Sequence, residues 1–568
     1  MSDIQLMILR RMRAPLIVLI VTYAISVFGL VLMPGVDPQG NPWHLSLFDA
    51  FYVMSYTATT IGFGEVPYPF SYAQRLWMTV SIYISVTGWA YALGSIFALV
   101  QHPAFKEAWA RSRFEAGVRR LVDRYFVICG FGQSGKRLAG AFDRLGYAIV
   151  VIESSAERLR PLYLRENRQP AVGLVGDARS PALLEASGIR RPNCEGVIVL
   201  TGSDEVNQTI AIETRVLAPE VTVLARIKSD TVCETLEAFG GVTVVNPYET
   251  FGVNLGLAIA KPDVLRLEEW MTAVPGTEPP RRIEAPRGHW VLAGHGRFGK
   301  TLSAALERAG STCTVIDPDP ARCGVDGVVG TGMAPDALQR AGIQDASGLI
   351  VSTDVDANNL AIVTAARRLK PKLFVVIRQN QETNRSLIDA ARANMHFVQA
   401  QLMAHECLQV LTTPLLNRFL LRAREQPNAW AVGVCGRLHD VIGHHVPHVW
   451  AVTCDTKLLG MRRALIEVSE PALTISHLLC DPDDRLTRLQ ATPLLLLRIG
   501  DDVLLPDEGT ALEAGDRVLF AGASDARLVQ SRLLEDDVAI DYVRTGYERP
   551  RTWIGRWLQR PVTNPVAG

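Results

Sequence analysis

The 568-residue sequence has no net charge, because 58 Lys and Arg are matched by 58 Asp and Glu. Nucleic-acid-binding domains carry a basic excess, so this balance argues against nucleic acid as a partner. There is no CxxC pair. The nine cysteines are scattered and odd in number, which fits reduced thiols in packed cores and not a disulfide framework or zinc ribbon. Charge itself is missing from two long stretches: none falls between Ala14 and Val36, and none between Leu76 and Phe105. Each is long enough to cross a bilayer, which takes about 20 apolar residues. Lys and Arg are also absent from residues 37 to 74, where Asp37, Asp49 and Glu65 are the charged side chains.

The first apolar stretch follows Arg10, Arg11 and Arg13, as a signal peptide's core would. It is longer than such a core, and no small-x-small cleavage site follows. The second is followed by Lys106, Arg111, Arg113, Arg119 and Arg120. By the positive-inside rule both termini are then cytoplasmic and the intervening segment faces out, as expected of a multi-pass protein of the cell (inner) membrane. A chain this long exceeds one domain of about 100 to 200 residues.

Between the spans, LFDAFYVMSYT (Leu47 to Thr57) is about three turns of apolar and aromatic residues, too short to cross and suited to dipping in and returning. TATTIGFGE (57 to 65) follows it. Non-helical backbone at membrane depth is tolerated only where it is buried in protein or lines a watery path. An extended Thr60-Ile61-Gly62-Phe63-Gly64 repeated about a four-fold axis aims carbonyl oxygens at that axis. Gly62 and Gly64 allow the required backbone, and the Thr60 hydroxyl adds the innermost oxygens. Such rings replace the hydration shell of a monovalent cation.

TATTIGFGE resembles the TATTVGYGD signature of potassium channels, and the order span, short helix, filter, span is similar to their two-helix pore unit. Phe63 stands where the family often has Tyr, Glu65 where it often has Asp, and Tyr52 and Val53 where it often has Trp. The resemblance implies K+ as the permeant ion, Thr60, Ile61, Gly62, Phe63 and Gly64 as the selectivity filter, and a homotetramer in the lipid bilayer. Gly88, near the middle of the second span, is either the gating hinge of such channels or a small residue for close helix packing.

Beyond a basic helical linker (103–124), strands and helices alternate. YFVICGFGQSGKRLAGAFDRLGYAIVVIE (125 to 153) and HWVLAGHGRFGKTLSAALERAGSTCTVID (289 to 317) are two copies of one unit, offset by 164 residues. Each has GxGxxG directly after a strand and opening a helix, with an acidic residue 18 positions after the last glycine. That is the dinucleotide fingerprint in its proper context. The glycines let backbone approach a phosphate at a helix N-terminus. Glu153 and Asp317 are placed to accept from both ribose hydroxyls, which favours NAD or ATP/ADP over NADP. The candidate nucleotide residues are Gly130, Gly132, Gln133, Ser134, Gly135, Glu153, Asp177, Ala178 and Thr201 in the first copy. In the second they are Gly294, Gly296, Arg297, Phe298, Gly299, Asp317, Thr331 and Thr353.

The similarity continues in VGDARSPALLEASGI (175 to 189) and VGTGMAPDALQRAGI (329 to 343), and in VIVLTGSDEVNQTIA (197 to 211) and LIVSTDVDANNLAIV (349 to 363). Here the chain resembles the RCK, or Trk-type, regulatory domain, whose adenine-side turn is matched by Asp177 and, less well, by Thr331. Nearly the whole chain is thus similar to prokaryotic ligand-gated potassium channels with two tandem RCK domains. The implied fold is an α-helical two-span pore domain (1–102), the linker (103–124), a Rossmann-like α/β RCK domain with crossover helices (125–280), a second (286–425), an α+β TrkA-C-like lobe (426–535) and a basic tail (536–568). The implied function is a potassium channel, not an enzyme, gated by an adenine nucleotide. The alternatives are a membrane-tethered NAD-dependent oxidoreductase, which would need an acid or base beside the nicotinamide, or a Trk-type regulatory subunit of a separate transporter, which would leave TTIGFGE without a purpose. Asp481, Asp483 and Asp484 are candidate Ca2+ ligands. Cys435, His439, His444, His445 and His448 lack a standard metal-ligand spacing, and the tail RTGYERPRTWIGRWLQR (544 to 560) is a candidate docking segment.

Overall fold

Two helices of 30 residues dominate the start of the chain, Asp3–Leu32 and Tyr72–Gln101. The structure, a computed structural model, describes residues 3–466 and 471–547. The tail from 548 on, with Trp553 and Trp557, lies outside the described residues. Two compact units form, one up to Val122 and the other from Asp123 on, apart from the short stretches 172–174 and 186–188, which group with the first.

In the first unit, Arg11–Leu32 and Tyr72–Gln101 are both long and apolar enough to cross a membrane. Leu16, Ile20, Phe28 and Tyr83 are exposed on them, as suits surface that faces lipid or other chains. Glycines seat the two helices against each other. A Cβ at Gly29 would stand 2.0 Å from the Trp77 ring, whose Nε1 donates to the Ser26 carbonyl at 3.0 Å. A Cβ at Gly88 would meet Thr22 Oγ1 at 2.7 Å. The helix runs unbroken through Gly88. Between the long helices sits the short helix Leu47–Ala58, capped by Ser46, whose hydroxyl accepts from Asp49 N–H at 3.1 Å. Its Ala50, Val53, Met54 and Tyr56 close a small core with Val27, Leu30, Leu45 and Phe70. The linker forms the helix Pro103–Arg119.

The second unit contains two six-stranded sheets. In each, the strand order is third, second, first, fourth, fifth, sixth in chain order, and the central strands pair in parallel. The runs YFVIC and HWVLA form the first strands, Tyr125–Cys129 and His289–Ala293. They are buried almost throughout, as strands covered on both faces must be.

The crossover segments each form two helices, Pro247–Ala260 and Pro262–Thr272 after the first sheet, and Gln399–Thr412 and Pro414–Glu425 after the second. Each copy lends its first crossover helix to the other. Tyr248, Phe251 and Leu255 share a core with Phe298, Leu302 and Leu306 of the second copy. Met403, Ala404 and Cys407 share one with Leu138 and Phe142 of the first. Arg424 pairs with the buried Glu268 at 2.6 Å. The two copies are therefore one body. Next comes a four-stranded antiparallel sheet, ordered His448–Thr453, Arg517–Gly522, Ala491–Arg498, Asp501–Leu504. The expected start of the tail at 536 differs from what is seen: Asp537–Thr545 is a helix whose Ala539, Ile540 and Val543 are buried in this lobe. The apolar spacing of that helix, not the arginines after it, decides its place.

Burial, and after it the neighbouring Glu268, push the Glu269 carboxyl up from 4.5 to about 7. A carboxyl raised in the folded state contributes stability below its unfolded pKa, and this is lost as pH rises through the folded value. Glu269→Gln should therefore match the wild type in apparent melting midpoint at pH 4.5 and exceed it at pH 8. Parallel midpoint-against-pH curves would contradict this.

Candidate functional site

The first copy's strand Tyr125–Cys129 ends at Gly130, whose φ of +99° turns the chain sharply. A Cβ there would strike the backbone of Leu200 and Thr201 at 2.9 Å, and one at Gly135 would strike the Gly130 carbonyl at 2.4 Å. These two glycines serve close packing. Gly132 differs, because a Cβ there meets nothing within 4 Å, and it opens the helix Gln133–Leu145 with no side-chain cap. The first N–H groups of that helix are left to an anion. Glu153, 4% exposed, ends the second strand. Its Oε2 accepts from Phe131 N–H at 2.6 Å, and its Oε1 accepts from Ser155 N–H at 2.9 Å. The carboxylate thus braces the glycine turn.

A cleft of about 640 Å³ joins Gly130, Gly132, Gln133, Glu153, Asp177, Ala178 and Thr201. Ser134 and Gly135 are buried in the helix beneath it. Four cations that the sequence reading missed also line it: Lys136, Arg158, Arg179 and Arg226. Arg179 forms an ion pair with Asp177 at 2.7 Å, and its hydrogen bonds hold that carboxyl below the usual range. Arg226, 8% exposed, donates to the Thr201 carbonyl, while its Nε is buried without a partner among the described residues. An uncapped helix start, bare Cα at Gly132, a guanidinium whose Nε lacks a partner among the described residues and a carboxylate one strand away fit a phosphate-bearing nucleoside. Lys136, one position past the fingerprint, was the legible signal. Arg226, at the end of a distant strand, had none.

Asn207 organises the rim. Its Oδ1 accepts from Thr201 N–H at 2.9 Å and from the Thr201 hydroxyl at 2.6 Å, and its Nδ2 donates to the Arg226 carbonyl at 2.8 Å. Asp204 is buried and accepts from Lys228 N–H at 3.1 Å. Burial, then repulsion from Arg226, pushes the Lys228 ammonium down to about 8.

The second copy repeats this frame. Gly294 has φ +93°, and a Cβ at Gly299 would strike the Gly294 carbonyl at 2.2 Å. Gly296 faces open space. Asp317 accepts from His295 N–H at 2.7 Å and from Asp319 N–H at 2.9 Å. Thr353 is clasped by Asn359 as Thr201 is by Asn207. Two candidates point elsewhere. Phe298 is 1% exposed and stacks on Phe397 at 4.1 Å within the shared aromatic core, because the crossover helix of the first copy covers it. Arg297 lies 3.9 Å from Asp204 of the first copy. Thr331 is exposed.

In the first unit, positive φ alternates along residues 60–64: Thr60 at +62°, Gly62 at +66° and Gly64 at +99°. Thr60 is β-branched, so its left-handed backbone is strained, a cost met mainly at functional sites. Alternation of hand turns successive carbonyls to one side. Among the described residues nothing donates to the carbonyls of Thr60, Ile61, Gly62 or Phe63. Ile61 and Phe63 are 60% and 64% exposed. Among the described residues no three His, Cys, Asp or Glu side chains converge as a metal site. In particular Asp481 and Asp484 accept from Asp483 N–H at 2.9 Å and Leu486 N–H at 3.1 Å, as turn caps.

Residues 126–247 and 290–398 match the TrkA-N domain family. The chain is similar to "Potassium channel protein 1" of Methanocaldococcus jannaschii, 26% identical over 38% of this chain and 64% of that one. It is also similar to "Probable potassium channel protein 2" of the same organism, 25% identical over 44% of this chain and 68% of that one. The chain thus spans about two thirds of the length of these relatives. A solved structure titled "GsuK channel bound to NAD" matches 94% of this chain and 99% of that chain, with 17% identity and a TM-score of 0.46.

Asn207→Ala removes the clasp between the Thr201 rim and the Arg226 strand of the first copy. The expected cost is about 1–3 kcal/mol, the range for stranding buried hydrogen-bonding groups, read as a lower unfolding midpoint. A midpoint equal to wild type would show that the rim does not depend on this residue.

Proposed function

We propose that four copies of this chain form a potassium-selective channel of the cell membrane, opened or closed by an adenine nucleotide, NAD or ATP/ADP, in the first TrkA-N domain. The observation that carries the reading is the backbone of residues 60–64, where φ alternates in sign and four successive carbonyls lack a protein donor among the described residues. Four such segments around an axis surround a dehydrated K+ with neutral oxygens from Thr60, Ile61, Gly62 and Phe63 and the Thr60 hydroxyl. The exposed Ile61 and Phe63 side chains would be covered by neighbouring copies. The similarity to potassium channel proteins supports the same reading. Gly88, tight against Thr22, is the proposed hinge, since opening must part the two long helices or bend one of them.

In the first TrkA-N domain, the N–H groups of Gln133 and Ser134 and the Lys136 and Arg226 cations would hold phosphates, Glu153 would hold a ribose, and Asp177, Ala178 and Thr201 would line the rest. The second TrkA-N domain keeps the glycine frame with Asp317 and Thr353, so a second nucleotide is proposed there on weaker lining. The proposed arrangement does no chemistry on the nucleotide. Its binding energy would shift the population of open and closed channels.

Glu153→Ala should raise the nucleotide concentration for half-maximal effect by about 10-fold, given the strength of a hydrogen bond to a charged group. Glu153→Gln, which keeps an oxygen for Phe131 N–H, should fall between. The check is the nucleotide dose response of currents in planar bilayers. An unchanged dose response in both variants would overturn the proposed nucleotide site.

A further inference from the structure

The back of the filter segment is spanned by one residue of the short helix. Tyr56 lies near the end of Leu47–Ala58 and is 4% exposed. Its carbonyl accepts from Ile61 N–H at 2.8 Å and from Gly62 N–H at 3.3 Å. Its hydroxyl donates to the Gly64 carbonyl at 2.5 Å. The ring stands edge-on to Phe63, with centroids 5.5 Å apart, and to Tyr52 at 5.3 Å. A single side chain and its own peptide therefore grip both the inner and the outer end of residues 61–64.

Phe63 has no hydroxyl with which to anchor itself, and the hydroxyl behind it is that of Tyr56. The Gly64 carbonyl is the one in the run from Thr60 to Gly64 that meets a protein donor among the described residues. It is drawn toward the short helix, away from the side to which the four preceding carbonyls are open. The next residue is anchored as well. Glu65 Oε1 accepts from Arg75 Nε at 2.9 Å, and its Oε2 accepts from Arg75 Nη2 at 3.0 Å and from Phe70 N–H at 2.9 Å. Position 64 is thus held from two directions.

We propose that the Tyr56 hydroxyl is a positioning group that determines ion specificity. By holding the Gly64 carbonyl it ends the coordinating column at Phe63, and it fixes the spacing of the Thr60 to Phe63 oxygens on which discrimination between K+ and Na+ depends. This inference rests on the pore reading of residues 60–64. A brace that served only folding would alter the number of channels, not the permeability ratio of each.

The experiment measures reversal potentials of the full-length channel in planar bilayers under opposed K+ and Na+ gradients, for the wild type and two replacements at position 56. Tyr56→Phe removes the hydroxyl and keeps the ring. Incorporation of 3-fluorotyrosine keeps both and strengthens the donor. Tyr56→Phe should lower the K+/Na+ permeability ratio by about 5-fold, the factor for one neutral hydrogen bond, and 3-fluorotyrosine should raise it. A ratio that neither replacement moves overturns the proposal. Where Tyr56→Phe fails to assemble, an unmoved ratio with 3-fluorotyrosine alone does so. Absence of K+ current in the wild type is a separate result, which overturns the pore reading itself.

Discussion

Four consecutive carbonyls, those of Thr60 to Phe63, meet no protein donor among the described residues, and this constrains the first unit more than any other feature. Unsatisfied backbone groups in hydrocarbon cost several kcal/mol each. On the proposed membrane-spanning reading, residues 60–63 therefore demand a wet path, a bound cation, or both, and the remaining parts of the unit suit that demand. The short helix Leu47–Ala58 supplies the wall behind the segment. The long helices close on each other through Gly29 under Trp77 and Gly88 against Thr22. Ile61 and Phe63 stay exposed in the single chain.

In the second unit the organising device is the exchange of crossover helices. The helix Gln133–Leu145 opens at the candidate phosphate position with Gly132, buries Leu138 and Phe142 against the second copy's Met403 and Cys407, and presents Arg137 to Glu382 of that copy. One helix thus carries the ligand end, the shared core and a polar contact across the seam. Small shifts at its N-terminus are felt at the seam because packed interiors do not deform smoothly. Under the proposed nucleotide reading, this gives a physical route from an occupied cleft to a changed relation between the two copies.

Much of this was legible in the residues. The glycine spacing and the acidic strand ends identified both Rossmann sheets, since a GxGxxG between a buried strand and an amphipathic helix has few other uses. What was not legible depended on contacts between distant segments. Phe298 occupies a fingerprint position, yet the borrowed helix beginning at Pro247 turns it into core. Arg226 is ordinary in sequence, and its carbonyl meets Asn207 because parallel strands end side by side. Tyr56 lies outside the filter motif, and its hydroxyl reaches Gly64 because the backbone doubles back after the short helix. The tail was misjudged at its start, where three buried apolar residues outweigh the arginines that follow.

The claim that one chain joins a potassium path to a nucleotide sensor is tested most directly by ion flux into liposomes that hold the purified full-length protein, measured for K+ and for Na+ with and without NAD, ADP or ATP. The account predicts flux that favours K+ and changes in size when one of these nucleotides is present. Flux that is equal for the two ions, or indifferent to every nucleotide, would contradict it.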